Sequence, residues 1–131
     1  MITIQLKKEL TREMLENIFV GALEGGSNYW YFINDRSYKK IRRVIPQKKN
    51  PYFSLAMAEA VLDHGMRVNI DDVETGERLG VITKSTIRAR LKKMIEDGNY
   101  RFIERVVNEN ADAGDYDVVF QYLTMGKLVF G

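Results

Sequence analysis

Three features of the sequence predict an α+β fold, a small antiparallel sheet packed with about five helices. Apolar side chains recur at i, i+4 spacing in several stretches that end at glycine. Residues 66–72 and 79–83 flank the turn Glu74-Thr75-Gly76-Glu77 and read as a β-hairpin. The 131 residues are 45% hydrophobic and 29% charged, which suits one domain over 1–131 that needs neither disulfide nor metal.

The elements follow in order. Ile2, Ile4 and Leu6 alternate with Thr3 and Gln5, the pattern of an N-terminal strand. Thr11 is placed to cap a helix with Glu13 and Glu16 in its first turns, where the dipole favours acids. Two rows, Met14-Ile18-Ala22 and Leu15-Phe19-Leu23, give that helix its apolar stripe, and Gly25-Gly26 is the expected stop. Residues 27–33 contain four consecutive aromatics, Tyr29 to Phe32, which cannot all share one face of a helix or strand. Residues 38–45 fit a short strand or a helix ending before Pro46, and 46–51 reads as loop.

A helix from Ser54 to His64 closes at Gly65. After the hairpin, Thr83 or Ser85 opens a helix carrying Ile87, Leu91, Met94 and Ile95, and Gly98 ends it. Another helix covers 100–108, and the polar turn 110–114 follows. Asp115 is placed to cap a last helix with Val118, Val119, Tyr122 and Leu123; Gly126 stops it, and 127–130 returns as a terminal strand.

Composition excludes several chemistries. With no cysteine, the chain has no disulfide, thiol nucleophile or cysteine-ligated zinc. The single histidine, His64, rules out a histidine metal cluster, so neither metal nor other cofactor is expected. No apolar run reaches the roughly 20 residues that span a bilayer, and the first residues lack a signal-peptide layout, so no membrane role and a cytoplasmic location are expected. Gly21, Gly25 and Gly26 end a helix instead of opening one and lack a following lysine, so they do not form a phosphate loop. Asn108 to Val119 places glycine and Val119 wrongly for a calcium loop. Asp71 and Asp72 alternate faces on a strand and cannot form an acid/base dyad.

Charge is uneven although the net is only +2. Residues 36–49 hold Arg36, Lys39, Lys40, Arg42, Arg43, Lys48 and Lys49 without an acid, and 84–93 hold Lys84, Arg88, Arg90, Lys92 and Lys93. The last third carries Glu104, Glu109, Asp112, Asp115 and Asp117. Aromatic planes beside arginines can stack a base while the cations hold phosphate, so Asn28, Tyr29, Trp30 and Tyr31 with Arg36, Arg42 and Arg43 form the first candidate ligand site. The second candidate is a nucleic-acid surface made of Lys84, Arg88, Arg90, Lys92 and Lys93.

The stretch Ala22-Leu23-Glu24-Gly25-Gly26-Ser27-Asn28-Tyr29-Trp30-Tyr31 resembles a motif of a group of small phage and prophage proteins. The segment from Asn110 through Gly114-Asp115 and Phe120-Gln121 to the closing Gly126-Lys127-Leu128-Val129-Phe130-Gly131 is similar to the endings of that group. The resemblance implies an accessory protein of a mobile element in the cytoplasm of a bacterial host, and nothing about catalysis. The lack of a recognisable catalytic constellation in the residues is what points to a non-catalytic binding protein. Such a protein would sequester or block a host factor in a counter-defence role, its partner being a host protein or an anionic nucleotide. Two other classes stay open: a small DNA- or RNA-binding regulator using the 84–93 helix, and a hydrolase built from His64 and a distant aspartate. A homodimer, which would cover surplus aromatics, fits any of the three.

Overall fold

The computed structural model describes residues 10–131, so the strand expected at 2–6 lies outside the described residues. Thr11 Oγ1 accepts the Met14 amide at 3.2 Å and caps α1 (Arg12–Gly21), whose Ile18 and Phe19 are buried. The helix does not stop at its glycines in a left-handed cap. It widens into a π turn over Ala22–Gly26, closed by the Ser27 amide on the Ala22 carbonyl at 2.9 Å. Gly26 is required there by proximity, because a Cβ would collide with the Ala113 carbonyl oxygen.

The aromatic run then forms β1 (Tyr31–Phe32). The segment that fitted either strand or helix is a helix, α2 (Asp35–Val44), because Asn34 Oδ1 accepts the Ser37 amide at 2.8 Å as its N-cap. With it the described residues hold six α-helices, where the sequence suggested about five. The helix α3 (Phe53–His64) buries Ala56, Met57, Ala58, Ala60, Val61 and Leu62 and ends at Gly65, which takes the left-handed conformation (φ 65°). Its small side chains let α1 approach closely.

The hairpin lies where the sequence puts it, as β2 (Val68–Asp72) and β3 (Arg78–Ile82). Asp72 Oδ1 accepts the Glu74 and Thr75 amides at 2.7 and 3.2 Å, and Gly76 supplies the positive φ that the reversal needs. The sheet is antiparallel in the order β1-β2-β3, with Tyr31 opposite Asp72 and Val68 opposite Ile82. A bulge at Ile70/Asp71 accommodates an extra residue of β3. Its third strand among the described residues is therefore the aromatic segment. The strand expected at 127–130 does not form.

A 3-10 turn (Lys84–Thr86) leads from the hairpin into α4 (Ile87–Glu96); α5 (Tyr100–Val107) and α6 (Ala113–Met125) follow. Asp112, not Asp115, is the N-cap of α6. The two aspartates close a capping box, the Asp115 amide on Asp112 Oδ1 at 2.9 Å and the Asp112 amide on Asp115 Oδ2 at 3.0 Å. α6 packs against α1, the π turn, α4, α5 and β3, and is buried nearly all round. It is the central post of the fold, and its polar residues therefore face the interior.

Candidate functional site

Two places bring together side chains that can recognise something. The first is an aromatic and carboxylate node where the π turn meets α6. Asp117, only 6% exposed, projects from α6 toward the segment after the π turn. Its Oδ1 accepts Ser27 Oγ and Trp30 Nε1, both at 2.7 Å; its Oδ2 accepts the Tyr29 hydroxyl at 2.6 Å and Gln121 Nε2 at 3.2 Å. Four donors on one carboxylate answer the desolvation cost of burying it.

This node decides where the four rings go. Trp30 is buried, stacked on Phe130 at 5.3 Å between centroids and packed against Phe120. Tyr31 and Phe32 are half-buried on β1, and the Tyr31 hydroxyl reaches the Leu23 carbonyl at 3.4 Å. Tyr29 alone is half outside, 52% exposed, and Asn28 beside it is exposed. Burial around the Tyr29 hydroxyl and then the Asp117 carboxylate push that phenol up to about 12, while burial alone does the same to Tyr31.

The arginines paired with these rings in the sequence reading lie in other surroundings. Arg42 sits over Tyr38 and Phe53 at 5.8 and 5.7 Å, and its Nη1 and Nη2 hold the Asn50 and Pro51 carbonyls at 2.6 and 3.2 Å. It ties down the 46–51 loop. Arg36 is exposed in the first turn of α2, and Arg43 is exposed near its end. Among the described residues no guanidinium lies over a ring of the 29–32 run. Among the described residues, no cation–π contact, side-chain hydrogen bond or ion pair joins these arginines to the rings.

The second place is a basic cleft that the sequence reading named only in pieces. One recess of about 400 Å³ is lined by Lys40, Arg43 and Val44 of α2 with Gly65, Met66 and Arg67. A second, of about 570 Å³, is lined by Gly65, Arg67, Thr83, Lys84 and Ser85. Gly65 and Arg67 line both, so the two recesses adjoin as a shallow, open basic trough. Among the described residues, Lys40, Arg43 and Arg67 have no carboxylate partner within salt-bridge distance. Lys84 faces Asp63, whose own carboxyl is held below its usual range chiefly by the Arg12 guanidinium. The uncompensated Lys40, Arg43 and Arg67, with Lys84 and the hydroxyl-bearing Thr83 and Ser85 along the same lining, are equipped to hold an anion.

The helix candidate divides. Arg90 turns inward, with Nη1 3.5 Å from the Tyr122 carbonyl and its guanidinium against Gly126. Lys93 is neutralised by Asp97 at 2.8 Å. Lys84, Arg88 and Lys92 stay exposed at successive i, i+4 positions, and Lys84 is also part of the trough. His64 ends α3, with Nε2 3.6 Å from Glu59 Oε2. Among the described residues no group of three acids or histidines is placed to hold a metal, and no helix is long and apolar enough to cross a membrane.

Asp117, Gln121 and Arg67 were given no site role in the sequence reading, although Asp117 stood among the acids of the last third and Gln121 in the carboxyl segment. The first two had a signal: they are polar residues four apart on a helix otherwise apolar along that face. Arg67 had none, since only the turn at Gly65 brings it beside α2. No family model, curated protein or solved structure matches this chain.

Proposed function

We propose that the chain is a non-catalytic accessory binding protein of the phage or prophage type, which sequesters an anionic host factor on its basic trough. A nucleotide bearing phosphate is the ligand that fits best. The observation that carries the reading is the convergence of Lys40, Arg43, Arg67 and Lys84 from three separate parts of the chain onto one trough. Cations left without a protein partner are open to a ligand's phosphates, whereas paired ones such as Lys93 are not.

Titration calorimetry against cyclic and linear nucleotides tests this. The native chain is expected to bind at least one, and Arg43→Ala with Arg67→Ala to weaken that binding by at least tenfold. No heat from any of them would remove the nucleotide form of the proposal.

One observation favours a second reading, a nucleic-acid regulator. The exposed row Lys84, Arg88 and Lys92 prolongs the trough along α4. That reading requires binding to a DNA or RNA duplex that falls steeply with salt. A duplex left unshifted at low salt would end it.

A further inference from the structure

The residues after α6 leave the helix at Gly126, in the left-handed conformation (φ 75°), and run back over the aromatic node. They join no strand or helix. Among the described residues, their hydrogen bonds go to one side chain, and Phe130 packs on the core through the Trp30 ring. Gln121 is fully buried; its Oε1 accepts the Val129 and Phe130 amides, both at 2.9 Å, and its Nε2 donates to the Phe130 carbonyl at 3.0 Å. Phe130 lies flat on Trp30, with an interplanar angle of 13°. Leu128 and Val129 remain 43% and 47% exposed.

The orientation of the Gln121 amide is set from behind. Asp117 can only accept, so the amide nitrogen faces it and the amide oxygen is turned to the backbone donors of the segment. A side chain in the core thereby acts as the edge of a strand, reading main-chain groups and not side-chain identity, while the Trp30 face reads one aromatic ring.

We propose that the groove formed by Trp30, Phe120 and Gln121 is a peptide-binding site. Its ligand is an extended segment with an aromatic side chain, and residues 127–131 occupy it as a displaceable strap. Among the described residues the segment's hydrogen bonds all go to one side chain and two of its residues are exposed, features of the low-stability end of local opening. An opened strap leaves the Gln121 oxygen and the Trp30 face without partners, so an incoming peptide of the same form restores what was lost. The closed fraction lowers the apparent affinity of the intact chain, and weakening the strap raises it. The inference is independent of the basic trough.

The test uses the full chain carrying Phe130→Ala and the peptide Lys-Leu-Val-Phe-Gly, with Trp30 fluorescence as readout. The variant is expected to bind the peptide at least tenfold more tightly than the native chain, and a peptide with alanine for its phenylalanine at least tenfold more weakly. A variant with native circular dichroism that leaves the peptide unbound would overturn the proposal, as would equal binding of both peptides. Hydrogen exchange on the native chain decides the matter if the variant does not fold. Val129 and Phe130 amides exchanging at least tenfold faster than those of Phe120 and Leu123 support a strap that opens alone; equal rates contradict it.

Discussion

Asp117 does more to place the aromatic segment than any of the aromatics themselves. It fixes Ser27, Tyr29, Trp30 and Gln121 through four hydrogen bonds, three of them to residues about ninety positions away in sequence. That distance explains why the node was illegible. Four adjacent rings announce that some are inside and some outside, but the choice belongs to a carboxylate on another helix. Asp117→Asn replaces one acceptor oxygen by a donor facing Tyr29 or Gln121, and is expected to cost about 1–3 kcal/mol, measured by denaturant unfolding. The raised phenols of Tyr29 and Tyr31 give a pH dependence with a definite sign. Each is protonated in the folded state at a pH where the unfolded phenol, with its pKa near 10, has begun to ionise. Their contribution is complete below about pH 10 and is lost as pH rises toward 12. Unfolding stability should fall across that interval, and Tyr29→Phe should make the fall shallower. An unchanged pH profile in the variant would show that the Tyr29 hydroxyl adds nothing.

At the scale of elements, legibility followed locality. The helices α1, α3 and α4 and the β2–β3 hairpin are read from spacing and turn residues because their determinants lie within a few positions, as with Thr11, Gly65 and Asp72. The strand expected at 127–130 does not form, and among the described residues the main-chain partners of 129–130 belong to the Gln121 side chain and not to a neighbouring strand. β1 is only two residues long and its sequence advertises aromatics before strand. Gly80 shows a packing demand that no local pattern reveals. Any Cβ there would strike the carbonyl of Thr124 on α6, a backbone atom that cannot swing aside. Gly80→Ala is expected to destabilise the chain by about 1–3 kcal/mol, read as a lower denaturation midpoint with an unchanged slope. A midpoint equal to that of the native chain would mean that β3 and α6 can separate at little cost.

For the molecule as a whole, the sequence disclosed two basic stretches and the fold decided which cations matter. Arg42, Arg90 and Lys93 are tied to carbonyls or a carboxylate, while Lys40, Arg43 and Lys84 meet Arg67 at the trough. The central claim is that this trough, and not the aromatic run, is where an anion binds. The most direct measurement is amide chemical-shift mapping of the isotope-labelled chain titrated with inorganic pyrophosphate at low salt. Saturable shifts centred on Lys40 to Val44, Gly65 to Arg67 and Thr83 to Ser85, with Asn28 to Tyr31 unmoved, are the expected result. Shifts centred on the aromatic run, or none at all, would contradict the account.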